Sequence, residues 1–409
     1  MHVQLSKVAL ASAIFLWFTF VSGCKNSIFL RNGETVTNVP IIEITPLSKT
    51  NPPSILYFHD AIIPDKTKDY SQSEFIYSET TTPMFHPSSI PVNHLPVMGG
   101  ADKIALLNNN EIWIANIDGS ELVQLTNDGS AKTGLQWVPD GEHIAYLTKK
   151  CIQFININTH QANTFACFDF ANYFEAFEYS KDGQFIAIIL DQRLFITPNQ
   201  PERIEQIKQW SDLDRLTECA NLSPYQQNGN IVEVKFVRWS NDGKRIAILK
   251  PGREDNKDII NLLDISQCNK DLKRIDEFPS QRFQMDENSY GSTIQNFAWD
   301  GENLFVISSG LRHDGFGNLW LYDTSIHQSD LINPIDKMCC YRDPQWSPDG
   351  RYLMFVYQNY LDVSEVNIFI YYIPFGTLGT GVKYAPLPLP IDFFTNPKEK
   401  PSPILRIAK

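Results

Sequence analysis

Long stretches with a 3.6-residue apolar period are missing from this chain of 409 residues, so its core cannot be built from amphipathic helices. Basic clusters are missing as well. With a net charge of -12 and a pI near 5.2, the chain lacks the concentrated Lys and Arg that a nucleic-acid partner requires. Histidine is scarce, at 8 residues, and none sits at ligand spacing beside the adjacent Cys339 and Cys340, which leaves zinc without a donor set. No metal or cofactor is expected. The longest apolar run, Val8 to Val21, falls short of the ~20 residues of a comfortable membrane span.

What is present is one phrase said several times. Trp346-Ser347-Pro348-Asp349-Gly350 is followed, two residues on, by the apolar run from Tyr352 to Tyr357. Asp-Gly between apolar runs is a hairpin signal, because Gly takes positive φ without a Cβ clash and Asp bonds its own backbone. The phrase recurs at Trp137 to Gly141, Tyr179 to Gly183, Trp239 to Gly243 and, shortened, at Trp299 to Gly301. From Asp140 the steps to Asp182, Asp242, Asp300 and Asp349 are 42, 60, 58 and 49 residues. A four-stranded propeller blade takes about 40 to 45 residues, so the shortest step is a bare blade and the longer ones carry insertions.

Such a sheet cannot bury its own faces and must stack on neighbours in a ring. Third strands are expected at 152–157, 193–197, 259–265, 318–322 and 367–373. With a first blade at Lys103 to Thr126, the expectation is an all-β, six-bladed propeller of four-stranded antiparallel blades, or seven blades if the preceding segment folds in. The innermost strand of the first blade is open between the stretch Ile90 to Val97 and a segment from the far end of the chain.

The phrase with its flanking strands is similar to the TolB-type (WD40-like) propeller repeat. Trp346 to Gly350 matches outright, Trp239 to Gly243 and Trp137 to Gly141 differ at one position, and Tyr179 to Gly183 differs at two. The resemblance covers about Asp102 to Phe375 and implies a fold more than an activity, since this repeat serves scaffolds, receptors and non-catalytic parts of hydrolases. A prolyl-oligopeptidase type enzyme is not expected, because the Gly-x-Ser-x-Gly elbow and its further domain are not found.

Four regions are expected: a signal peptide at 1–23, a Pro/Ser/Thr-rich tether with short strands at 24–100, the propeller at 101–376 and a Pro-rich strap at 377–409. Val21-Ser22-Gly23-Cys24 resembles the bacterial lipoprotein box, which implies lipidation of Cys24 and a lipid-anchored envelope location.

Six further cysteines fit an exported, oxidising compartment. Cys151 and Cys167 are equidistant from the hairpin centre at Thr159, where directly opposed Cβ atoms come within disulfide reach. Cys219 and Cys268 are a second candidate bridge. Polar residues of the innermost strands are the candidates for lining the channel: Gln136, Glu175, Lys235, Arg238, Gln295, Arg342 and Asp343. No catalytic residue is assigned. The loop with His313 and Asp314 reads as a surface turn, and the Asp-Gly aspartates read as turn formers.

The function expected is a lipid-anchored, non-catalytic platform binding an envelope protein or a surface polymer. The alternative is a propeller enzyme acting on a glycan or other polyanion at the channel mouth.

Overall fold

In the computed structural model, residues 96–216, 226–227, 230–251, 258–266, 273–278, 293–309, 316–335, 340–358 and 366–409 are described. Cys24, Cys219, Cys268, His313 and Asp314 lie outside them, as do the expected signal peptide and nearly all of the tether.

Blade 1 comprises β1 (Ala101–Asn108), β2 (Glu111–Asn116) and β3 (Val123–Gln124); blade 2 comprises β4 (Thr133–Trp137), β5 (His143–Thr148), β6 (Cys151–Asn156) and β7 (Ala162–Cys167). Blade 3 has β8 (Phe174–Tyr179), β9 (Phe185–Leu190) and β10 (Arg193–Pro198), followed by helices α1 (Pro201–Ile204) and α2 (Trp210–Leu216). A small hairpin of β11 (Gln226–Gln227) and β12 (Asn230–Ile231) precedes blade 4, which is β13 (Phe236–Trp239), β14 (Arg245–Lys250), β15 (Ile259–Asp264) and β16 (Lys273–Phe278). Blade 5 is β17 (Thr293–Trp299), β18 (Asn303–Ser309), β19 (Asn318–Asp323) and β20 (Gln328–Leu331), and blade 6 is β21 (Tyr341–Trp346), β22 (Tyr352–Gln358) and β23 (Ile368–Pro374). A final strand, β24 (Ile404–Ile407), pairs antiparallel with β1.

The ring is therefore closed by the far end of the chain, which supplies the innermost strand of blade 1 in the sheet order β24-β1-β2-β3. Six blades are formed. Blades 3 and 6 differ from the four-stranded expectation, with three strands each among the described residues. In blade 3 the segment holding α1 and α2 packs Ile204, Ile207 and Leu213 into the core beside β10. In blade 6 the Pro-rich strap lies along β23, where the Leu387 amide donates to the Ile370 carbonyl at 2.8 Å. Proline has no N–H to extend a ladder, so such text caps an edge instead of continuing the sheet.

Period-two alternation explains why each second strand is apolar throughout. On β9, Ile186, Ile188 and Leu190 face blade 2 while Ala187 and Ile189 face blade 4. The same split recurs on β1, β14 and β22. Among the described residues the buried apolar side chains form six clusters, each drawn from two successive blades, and one of them joins blade 6 to blade 1. Each fully buried Ile or Leu contributes about 1.5 to 3 kcal/mol, so blade-to-blade contact holds the ring.

Cys151 pairs with Cys167 in register on β6 and β7, and a disulfide joins them. Cys340 is also disulfide-bonded.

Candidate functional site

The repeated phrase builds one end of the central channel. In blade 3 the Ser180 hydroxyl donates to Asp182 Oδ1 at 2.6 Å and accepts the Phe185 amide at 2.9 Å, closing the turn. Ser240 and Ser347 do the same in blades 4 and 6. The aspartate then accepts the amide two residues on, from Asp140 to Glu142 through Asp349 to Arg351. These aspartates are consumed by turn formation, and the Gly beside each takes positive φ, from 67° at Gly141 to 115° at Gly301.

The turns also touch one another around the ring. A Cβ built on Gly183 would meet Pro139 of blade 2 at 2.8 Å, and one on Gly243 would meet Asp182 of blade 3 at 3.3 Å. One on Gly301 would meet Arg245 of blade 4 at 2.7 Å, and one on Gly100 would meet Pro348 of blade 6 at 3.4 Å. The aromatics lock the same sequence of neighbours. Trp239 Nε1 donates to the Glu178 carbonyl at 3.0 Å, Trp346 Nε1 to that of Asn303 at 3.3 Å, and Trp137 Nε1 to that of Ile404 at 3.4 Å.

Inside this collar lies a cavity of about 360 Å³. Its wall is set by register: in four blades the residue before the aromatic faces it, namely Gln136, Glu178, Arg238 and Gln345, as do Lys181 and Asn241 from the turns. Glu178 and Arg238 form a buried pair across blades 3 and 4, with Arg238 Nη1 to Glu178 Oε2 at 3.0 Å. Arg238 also donates to the Phe297 carbonyl at 3.2 Å and stacks over Phe236. Glu178 accepts the Trp239 amide at 3.4 Å, so its capacity is largely spent. Arg406 is likewise committed, bidentate to Asp102 at 2.5 and 2.7 Å.

Lys181 is different. It reaches water in the channel, yet protein surrounds it, and this loss of bulk hydration holds its ammonium below the ordinary lysine range; Glu178 opposes the shift and Arg238 adds to it.

Of the seven inner-strand candidates, Gln136 and Arg238 line this cavity. The other five lie toward the opposite ends of their blades. Glu175 accepts the Gln192 amide at 3.2 Å, and burial raises its pKa. Lys235 pairs with Asp258 at 3.0 Å, and Asp258 also accepts the Ile294 amide from blade 5. Arg342 donates to Asp343 at 2.8 Å, and Asp343 accepts Asn296 Nδ2 at 3.0 Å. Gln295 sits at a bulge of β17. Glu178, Lys181, Asn241 and Gln345 were not singled out from sequence, although the position before each aromatic would have pointed to Glu178 and Gln345.

Elsewhere Tyr322, Asp276 and His327 meet at 2.6 to 3.2 Å and tie the outer strands of blades 4 and 5. Among the described residues no group of three or more His, Cys, Asp or Glu is placed to hold a metal ion. No helix among them is long and apolar enough to cross a membrane.

Six closed blades define the molecule as a β-propeller. Its inner turns carry Trp-Ser-Pro-Asp-Gly or a near variant. No family model matches the chain. It is 28% identical over 136 residues to a Schizosaccharomyces pombe protein described as a dipeptidyl aminopeptidase, a match covering 32% of this chain and 16% of that protein's length. Among solved structures it is similar to TolB from Acinetobacter baumannii, with a TM-score of 0.46 and 15% identity over 67% of this chain and 61% of that one. A structure from Agrobacterium tumefaciens described as TolB gives 0.45 and 15%, over 70% of this chain and 88% of that one. Kuenenia stuttgartiensis hydrazine synthase gives 0.42 and 11%, over 70% and 80%.

Proposed function

We propose that the protein is an exported, lipid-anchored propeller of the cell envelope that binds a partner at the turn end of its channel and carries out no reaction there. The observation that carries this reading is the commitment of the charged groups at the mouth. The turn aspartates hold backbone amides, and Glu178 is paired with Arg238, so neither set is poised to exchange protons with a substrate. Among the described residues, Lys409 faces Glu142 at 3.7 Å, and the amides of Gln136, Asn241 and Gln345 and the Lys181 ammonium line the cavity outside such pairs, groups suited to recognition. Export is supported by the Cys151–Cys167 disulfide, since such bonds persist in oxidising compartments, and lipidation by the box ending at Cys24.

The test is a photo-crosslinking side chain at Gln345 in cells, with the captured species identified, alongside fractionation of Cys24→Ala. A defined envelope partner captured at Gln345, and release of Cys24→Ala from membranes, are the expected results. Membrane retention of Cys24→Ala would remove the lipid anchor from this reading. Absence of capture together with cleavage of an acidic glycan by the purified protein would favour the enzymatic alternative.

A further inference from the structure

The departures from the repeat at the channel mouth fall together. Before the aromatic, the blades place Gln136, Glu178, Arg238, Ala298 and Gln345; two residues after it, they place Pro139, Lys181, Asn241 and Pro348. All the charged members are on blades 3 and 4, which are neighbours. Glu178 and Arg238 cancel each other at 3.0 Å, Arg406 is held by Asp102 and Lys409 faces Glu142 at 3.7 Å, which leaves Lys181 as the lining cation outside an ion pair, set between neutral amides. Nothing in the turn needs that residue to be lysine, since Pro or Asn serves at the same place in other blades.

We infer that this cavity is a binding site for a small hydroxylated carboxylate, with Lys181 holding the carboxylate and the amides of Gln136, Asn241 and Gln345 pairing with its hydroxyls. The inference rests on the platform reading and names the chemistry of the same site. A cavity of about 360 Å³ is at the small end of the range for ligand sites. One ammonium matches one negative charge. A phosphoryl group would ask for an arginine fork or several cations, and the other lining cations, Arg238, Arg406 and Lys409, already face carboxylates. Trp137, Tyr179 and Trp346 supply an apolar part of the wall.

The test is calorimetric titration of the full chain, held in detergent, with glucuronate, glucose and inorganic phosphate. Glucose differs from glucuronate in lacking the carboxylate and isolates that group; phosphate isolates charge alone. Glucuronate is expected to bind and the other two are not. Lys181→Asn, which copies the blade 4 turn, is expected to weaken glucuronate by at least about tenfold, the loss of one charge-assisted hydrogen bond, with thermal unfolding unchanged. Lys181→Arg is expected to retain binding. The inference is overturned by no binding of glucuronate, by equal binding of glucose or phosphate, or by undiminished binding in Lys181→Asn. Crosslinking at Gln345 that persists while glucuronate fails would remove the carboxylate site and leave the platform reading in place.

Discussion

At the residue scale, the Glu178–Arg238 pair shows how the ring uses charge. Both side chains are nearly buried, and the pair spans two blades whose apolar faces already meet. Removing one partner strands the other charge in a poorly solvated wall. Arg238→Met is expected to cost about 3 to 5 kcal/mol in equilibrium unfolding, while adding Glu178→Gln is expected to restore most of that loss. Additive losses in the double variant would show that the two do not act as a pair. A second charged knot ties blade 1 to the start of blade 2, where buried Lys132 donates to Asp128 at 2.5 Å and to Glu111 at 3.2 Å. The Lys132 hydrogen bond, helped by Ser130, lowers the Asp128 pKa from its ordinary 3.8 to about 2. A carboxylate held below its unfolded value stabilises the fold above that value and loses the contribution as pH falls through the folded one. The stability advantage of the natural protein over Asp128→Asn is therefore expected to be full above pH 3.8 and to fade toward pH 2, read by thermal unfolding across that window.

At the scale of the element, the outer hairpin of blade 2 is stapled where the register makes Cys151 and Cys167 partners. Closing a loop of this size stabilises by roughly 3 kcal/mol in the chain-entropy model, so Cys151→Ser with Cys167→Ser is expected to lose about that much in denaturant unfolding. A change below about 1 kcal/mol would mean that the unfolded chain is not constrained by the bond. That bridge was legible in the sequence because a hairpin centre fixes which residues face each other. The blades were legible for a related reason: the aromatic, the Asp-Gly turn and the apolar strand are local, and each is demanded by the backbone. The segments packed beside β10 and β23 were less so. Helices α1 and α2 amount to two short pieces whose apolar residues matter only against β10, and the strap around Leu387 is defined by what it caps. The cavity wall was half legible. Gln136 and Arg238 were found as polar inner-strand residues, but polarity alone admits both ends of the strand, whereas the place before the aromatic selects one.

For the whole molecule, closure is the decisive contact. Arg406 on β24 grips Asp102 at the start of β1 across 304 residues of chain and covers Trp137 of blade 2. Deleting residues 404–409 is expected to destabilise the whole ring cooperatively, because β1 then offers a bare edge and the faces of blades 1 and 2 lose their inner partner. Arg406→Ala is expected to give a milder loss of about 2 to 4 kcal/mol, since the ladder remains while Asp102 is left without its partner. An unfolding curve for the deletion that overlays the natural one would show that the ring does not depend on the clasp.

A clasp drawn from beyond blade 6 also imposes a timetable. The ribosome has finished every other blade before the first one can be completed, so a prematurely terminated chain carries an open seam and an unpaired strand edge. Without residues 404–407 the inner edge of β1 has no strand beside it, and the seam between the last blade and the first stays open.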